Sequence, residues 1–145
     1  MNHGARAQRC ASLNGESMHK SRLSGFIIDC QTADLEGAAK FWSAALGFAL
    51  APKSPQPEEA AYRSLDTGPD GLDIQVQQVD HASRVHLDIE SDDVEAEVAR
   101  LVKLGAKRLG MVHSWCVMEA PTGQRFCVVR QQHRTDFAER ANTWK

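Results

Sequence analysis

Residues 84–90, RVHLDIE, place one histidine and two carboxylic acids at alternate positions. A strand turns alternate side chains to one face, so His86, Asp88 and Glu90 share a face while Val85, Leu87 and Ile89 share the other. An imidazole beside a carboxylate is an acid/base pair, and histidine is the side chain whose charge changes nearest neutral pH. The pairing to weigh is therefore His86–Asp88 or His86–Glu90. The same alternation sets Ile27, Asp29 and Gln31 on one face of residues 23–31, and Asp73, Gln75 and Gln77 on one face of residues 72–79. Carboxylates withdrawn from water need partners. Arg22, Arg63, Arg84 and Arg125 are available for ordinary structural pairing of Asp29 and Asp88, so a structural and a functional reading of these acids both stand. Trp115 suits a stacking wall, Tyr62 a rim, and Cys127 either a polar contact or a small core residue. No glycine-rich phosphate loop, nucleophile elbow or zinc-protease helix motif occurs.

What must position these groups is a repeated unit. Residues 26–47 and 85–105 follow one plan of strand, acidic turn, helix and glycine stop, and a shift of 59 positions lays Asp29 on Asp88, Asp34 on Asp93 and Glu36 on Glu95. A duplicated half-domain closes a hollow between its copies, where a small molecule binds. Asp34 reads as the N-cap of a helix over 35–46 ended by Gly47, and Asp92 or Asp93 as the cap of a helix over 94–104 ended by Gly105. Residues 51–59 carry three prolines and read as a loop. Strands follow at 60–68 and 72–79 around the turn at 69–71, and a second hairpin runs through WCVMEA, PTG and RFCVVRQQ. If that hairpin is symmetric about residues 120–123, Cys116 faces Cys127. The order is β-α-β-β-β, twice, in an α+β fold. The apolar faces of the strands are expected beneath the helices. Phe137 and Trp144, in an otherwise polar tail, suggest docking onto the body or onto a partner subunit.

A chain of 145 residues with net charge −2 has the prior of one domain with its own core, and carries no basic footprint for nucleic acid or an anionic membrane. No apolar run is long enough to span a bilayer, and the N-terminal residues lack the apolar stretch of a secretory signal, so a cytoplasmic protein is expected. The four cysteines fall outside any C-x-x-C pattern and read as free thiols. Residues 1–21 read as a mobile extension. Residues 22–145 read as a single domain, with modules at about 23–79 and 84–131 and a tail at 132–145.

On FWSAALGF in the first half, VHLDIES, LGAK and APTGQRFCVV in the second, and the ending DFAERANTW, the chain resembles the vicinal oxygen chelate superfamily, and within it the glyoxalase-like proteins (glyoxalase/bleomycin resistance/dioxygenase domains). The resemblance implies two βαβββ modules whose curved mixed sheet encloses one pocket, and a homodimer. It also implies a metal site drawing one ligand from the first and one from the last strand of each module: here Ile27, Gln75, His86 and Cys127. Ile27 cannot ligate, Gln75 is a neutral amide and Cys127 a soft thiol. This set is poor for a hard octahedral ion, whereas thiols with His86 suit zinc. The expectation is a small-molecule-binding protein, catalysing proton transfer through His86 if it is an enzyme, with no tightly held metal although a divalent ion is conceivable. The alternatives are a metal-dependent lyase, isomerase or dioxygenase, and a non-enzymatic protein that sequesters a drug or natural product. The pocket contacts expected are Asp29, Gln75, Gln77, Asp88, Glu90, Trp115 and Cys127.

Overall fold

The computed structural model describes residues 18–132 and 136–145. Its strands are β1 (His19–Gln31), β2 (Tyr62–Leu65), β3 (Asp73–Val79), β4 (Arg84–Ser91), β5 (Lys107–Val112), β6 (Trp115–Glu119), β7 (Arg125–Arg130) and β8 (Asn142–Trp144). The helices are α1 (Leu35–Leu46), α2 (Val94–Lys103) and the short α3 (Phe137–Arg140). One mixed sheet runs β2-β3-β1-β4-β7-β6-β5, and β8 pairs with the start of β1.

Duplication is visible in the register. Ile27 and His86, which occupy equivalent places in the two halves, pair directly across the antiparallel β1–β4 junction, flanked by Gly25↔Asp88 and Asp29↔Arg84. The pseudo-twofold axis therefore passes between Ile27 and His86. Each half then builds outward through a parallel pair, β1–β3 and β4–β7. The β1–β3 contact is close: a Cβ on Gly25 would lie 1.7 Å from the Asp73 carbonyl oxygen, so only glycine fits there.

Both helix starts follow from their caps. Asp34 Oδ1 accepts from the Gly37 amide at 2.9 Å and Asp93 Oδ1 from the Ala96 amide at 3.0 Å. Gly47, at φ 76°, ends α1 in the left-handed conformation that favours glycine. Behind the sheet lie two cores: Ile28, Leu65 and Ile74 beneath α1, and Val98, Leu101, Ala106, Cys116, Met118 and Val128 beneath α2.

Several expectations change. β1 begins at His19, four residues before Leu23, because His19 and Ser21 pair with β8 and pack against α2. The expected extension over 1–21 thus loses residues 19–21 to the sheet, and its first 17 residues lie outside the described ones. In the first module the strand after α1 shrinks to a single bridge, Leu50↔Leu65, just before the proline-rich loop. The β6–β7 hairpin is not symmetric about 120–123. The Gly123 amide donates to the Ala120 carbonyl and the Ala120 amide to the Gln124 carbonyl, so the loop holds three residues with Gly123 at φ 92°. That extra residue pairs Val117 with Cys127 and Cys116 with Val128. Cys116 therefore points into the core under α2, away from Cys127.

The helices do not cover the middle of the sheet either. Val85 is 58% and Leu87 50% exposed, although both were expected under a helix. α1 packs over β2 and β3, and α2 over β7 and the start of β1, leaving the β1–β4 junction open between them. The tail folds back on its own body. Phe137 is buried under the Arg22 guanidinium, and Trp144 lies 3.8 Å beneath that of Arg100.

Candidate functional site

The side of the sheet opposite the helices curves around a cavity of about 240 Å³. At its floor lies the pseudo-twofold axis, and there the two halves differ: one offers Ile27, the other His86. The duplicated aspartates lie on either side of the single imidazole. Nδ1 of His86 donates to Asp29 Oδ2 at 2.9 Å, while Nε2 faces Asp88 Oδ1 at 3.6 Å, too far for a direct hydrogen bond. A carboxylate only accepts, so Nδ1 carries a proton in this contact, and Nε2 is the ring nitrogen turned towards Asp88.

Asp29 itself is 2% exposed, and Arg84 Nε (3.7 Å) and His81 Nε2 (4.0 Å) add positive or polar character beside its Oδ2. Asp29, on β1, thus ties the two halves together through His86 and Arg84 of β4 and holds the imidazole by its Nδ1. Among the described residues Asp88 has no arginine partner. Its Oδ1 is buried without a hydrogen bond. Burial, reinforced by the Asp73 and Asp29 carboxylates and opposed by His86, pushes its carboxyl up to about 6. Such a carboxyl can give or take a proton near neutral pH.

Around this floor stand Gln75, Tyr62, Trp115 and Cys127. Gln75 donates to Asp73 Oδ2 at 3.1 Å. Burial pushes the Tyr62 phenol up to about 12 and, together with nearby carboxylates, the Cys127 thiol to about 12 as well, so both remain protonated donors at neutral pH. Trp115 contributes an apolar plane, tilted against His113 at 5.3 Å between ring centroids.

Two expected contacts lie elsewhere. Glu90 is fully buried but not in the cavity. Its Oε1 accepts from Arg22 Nε at 2.6 Å and its Oε2 from the Gln132 amide at 3.3 Å, while Arg22 also grips Asp136 at 2.9 Å. Strand alternation placed Glu90 on the correct face, but the returning tail covers that end of the strand. Gln77 lines a separate, open hollow with Gln31 and His81, and is the register partner of Tyr62 across the β2–β3 pair. Sequence reasoning also missed the mouth. Pro52, Lys53, Glu58 and Glu59 of the proline-rich loop border the cavity. The loop's base is fixed by Arg63, which donates to Glu36 at 2.5 Å and to the Ala51 carbonyl at 3.2 Å. The length of that loop was the available signal.

The residues present do not fit a hard octahedral ion. Ile27 has no donor atom, Gln75 is engaged by Asp73, and the remaining set mixes one thiol with one imidazole. His86, Asp88 and Cys127 do converge, with one donor atom from each lying within 4.8 Å of the others. Imidazole, carboxylate and thiolate are the ligands of a small tetrahedral ion.

The family model for the glyoxalase-like domain matches residues 25–129. The chain belongs to the glyoxalase-like domain family. Among solved structures, a hypothetical protein from Bacillus halodurans C-125 superposes with a TM-score of 0.60 at 10% identity, over 79% of this chain and 97% of the other. Methylmalonyl-CoA epimerase from Mycobacterium tuberculosis gives 0.53 at 15% identity, over 76% and 89%. The Streptomyces coelicolor epimerase, in complex with 2-nitronate-propionyl-CoA, gives 0.51 at 20% identity, over 76% and 96%. At these identities the likeness shows the fold, which is the paired-module fold of the vicinal oxygen chelate superfamily. No curated protein sequence matches. No helix among the described residues is long and apolar enough to cross a membrane.

Proposed function

We propose that this glyoxalase-like protein binds a small organic molecule in the cavity and moves a proton on it, with His86 Nε2 as the base. The observation that carries this reading is the single imidazole between two duplicated aspartates. Asp29 holds Nδ1–H, stabilises the imidazolium formed when Nε2 takes a proton, and keeps the ring from turning. Asp88, with its carboxyl near 6, is the group to relay that proton onward or return it. Tyr62 and the Cys127 thiol are hydrogen-bond donors for an oxygen on which negative charge develops. Trp115 holds a flat part of the ligand.

Some structural neighbours are epimerases seen with coenzyme A thioesters. An epimerase inverts a stereocentre, and proton removal beside a carbonyl is the simplest such step. Carbon acids next to a carbonyl or thioester are therefore the first substrates to try.

The experiment is deuterium exchange. Metal-stripped protein is incubated in D₂O with a panel of acyl thioesters, 2-oxo acids and β-dicarbonyls, and label uptake is read by mass spectrometry. Catalysed exchange that falls at least 10²-fold in His86→Ala is expected, the usual contribution of a general base. No exchange above buffer across the panel, or equal exchange by the variant, overturns the reading.

A further inference from the structure

We infer that His113 is a positioning residue for the cavity: its ring holds the Trp115 indole in place, and the site takes a carbonyl compound whose reacting carbon adjoins a flat aromatic ring. Residues 113 and 114 close the tight turn between β5 and β6, where Val112 pairs with Trp115. His113 takes φ 51° there, and among the described residues no other non-glycine residue has a positive φ. The left-handed conformation favours glycine or asparagine, and such turns are filled by them as a rule. Backbone preference therefore does not select histidine at 113. Its side chain has a contact to make. The imidazole stands against Trp115 with ring centroids 5.3 Å and planes 52° apart, within the range in which aromatic pairs attract. His113 borders a shallow hollow at the start of α2, with Asp92, Glu95 and Arg130, and not the cavity. It meets the indole from outside while the indole faces in. Packing a wall residue from behind is what holds a binding surface in one rotamer.

β6 occupies in the second half the place that β2 occupies in the first, third from the axis. Trp115 and Tyr62 thus stand on equivalent arms of the sheet, on either side of His86, and both line the cavity. A fixed indole plane rewards a flat ring and does little for a short aliphatic chain. A ring next to the reacting carbon also serves the chemistry. When the C–H bond breaks, the proton goes to Nε2 and the electron pair enters an enolate that the ring delocalises. This substrate class rests on the proton-transfer reading and narrows it.

The test compares 2-indanone with cyclopentanone, neutral ketones that differ by the fused benzene ring. Dissociation constants are read from amide-shift titrations of the full chain by NMR, which need no turnover. Wild-type protein is expected to bind 2-indanone more tightly. His113→Gly should weaken 2-indanone about 2- to 12-fold, the worth of one aromatic pair, and leave cyclopentanone within about 2-fold. Its Tm should rise, because glycine adopts the turn without strain. His113→Asn, which tolerates the turn but has no ring, should lose as much affinity. In Trp115→Ala the preference should shrink, and adding His113→Gly should weaken binding no further, since a residue that acts through the indole has no effect once the indole is gone. No preference in the wild type, unchanged 2-indanone affinity in His113→Gly, a lower Tm in that variant, or an equal further loss in the Trp115→Ala background overturns the role of His113. The two proposals fail separately: absent deuterium exchange leaves these affinities intact, and affinities that ignore His113 leave exchange by His86 intact.

Discussion

Replacing Asp88 by asparagine should make the protein more stable at pH 8 and barely change it near pH 4. Its side chain is 17% exposed and, among the described residues, pairs with no cation but His86. Burial raises its carboxyl from 3.8 to about 6, so ionising it costs the folded state about 3 kcal/mol relative to the unfolded chain. The sign follows from proton counting. Between pH 4 and 6 the folded state binds more protons at this site than the unfolded state does, so stability falls as pH rises through that window and stays low above it. Asparagine removes the charge and should recover about 2–3 kcal/mol above pH 6. For a chain of this length that is a rise in Tm of roughly 6–12 °C. The assay is thermal unfolding of both proteins in chelator from pH 4 to 8. An equal Tm at pH 8, or a gain that does not shrink towards pH 4, would refute a buried, unpaired carboxylate at the cavity floor.

Three further outcomes follow from other contacts. Arg22→Met strands the fully buried Glu90 without its cation and should cost about 3–5 kcal/mol, with Arg22→Met/Glu90→Leu recovering much of it in urea unfolding. Gly25→Ala drives a methyl group into the Asp73 backbone, so soluble yield and Tm, read by expression and thermal unfolding, should both collapse. Glu97 is also buried, yet hydrogen bonds from Arg100 and His19 outweigh the desolvation and hold its carboxyl below the usual 4.5. Its contribution is therefore present above about pH 4.5 and lost as pH falls through the lowered value, and Glu97→Gln should flatten the acid limb of the stability profile.

Local rules carried most of the architecture. Asp34 and Asp93 announced the helices because an aspartate that accepts from an amide three residues on is a property of a short segment. Period-two alternation set His86, Asp88, Asp29 and Gln75 on the correct faces for the same reason. What escaped depended on distant chain or on one residue of register. Glu90 belongs to Arg22 and Asp136, 68 and 46 positions away, and no local pattern reveals that clamp. Cys116 left the site because Gly123 adds one residue to a hairpin loop. Val85 and Leu87 read as core by alternation, but their exposure follows from where α1 and α2 land.

The central claim is that chemistry happens at Nε2 of His86. A crystal structure of the metal-stripped chain with a bound exchange substrate tests it most directly. The exchanging carbon should lie about 3–3.5 Å from Nε2, with Nδ1 still bonded to Asp29. A ligand seated in another hollow, or an imidazole turned so that Nε2 points away from the cavity, would contradict it.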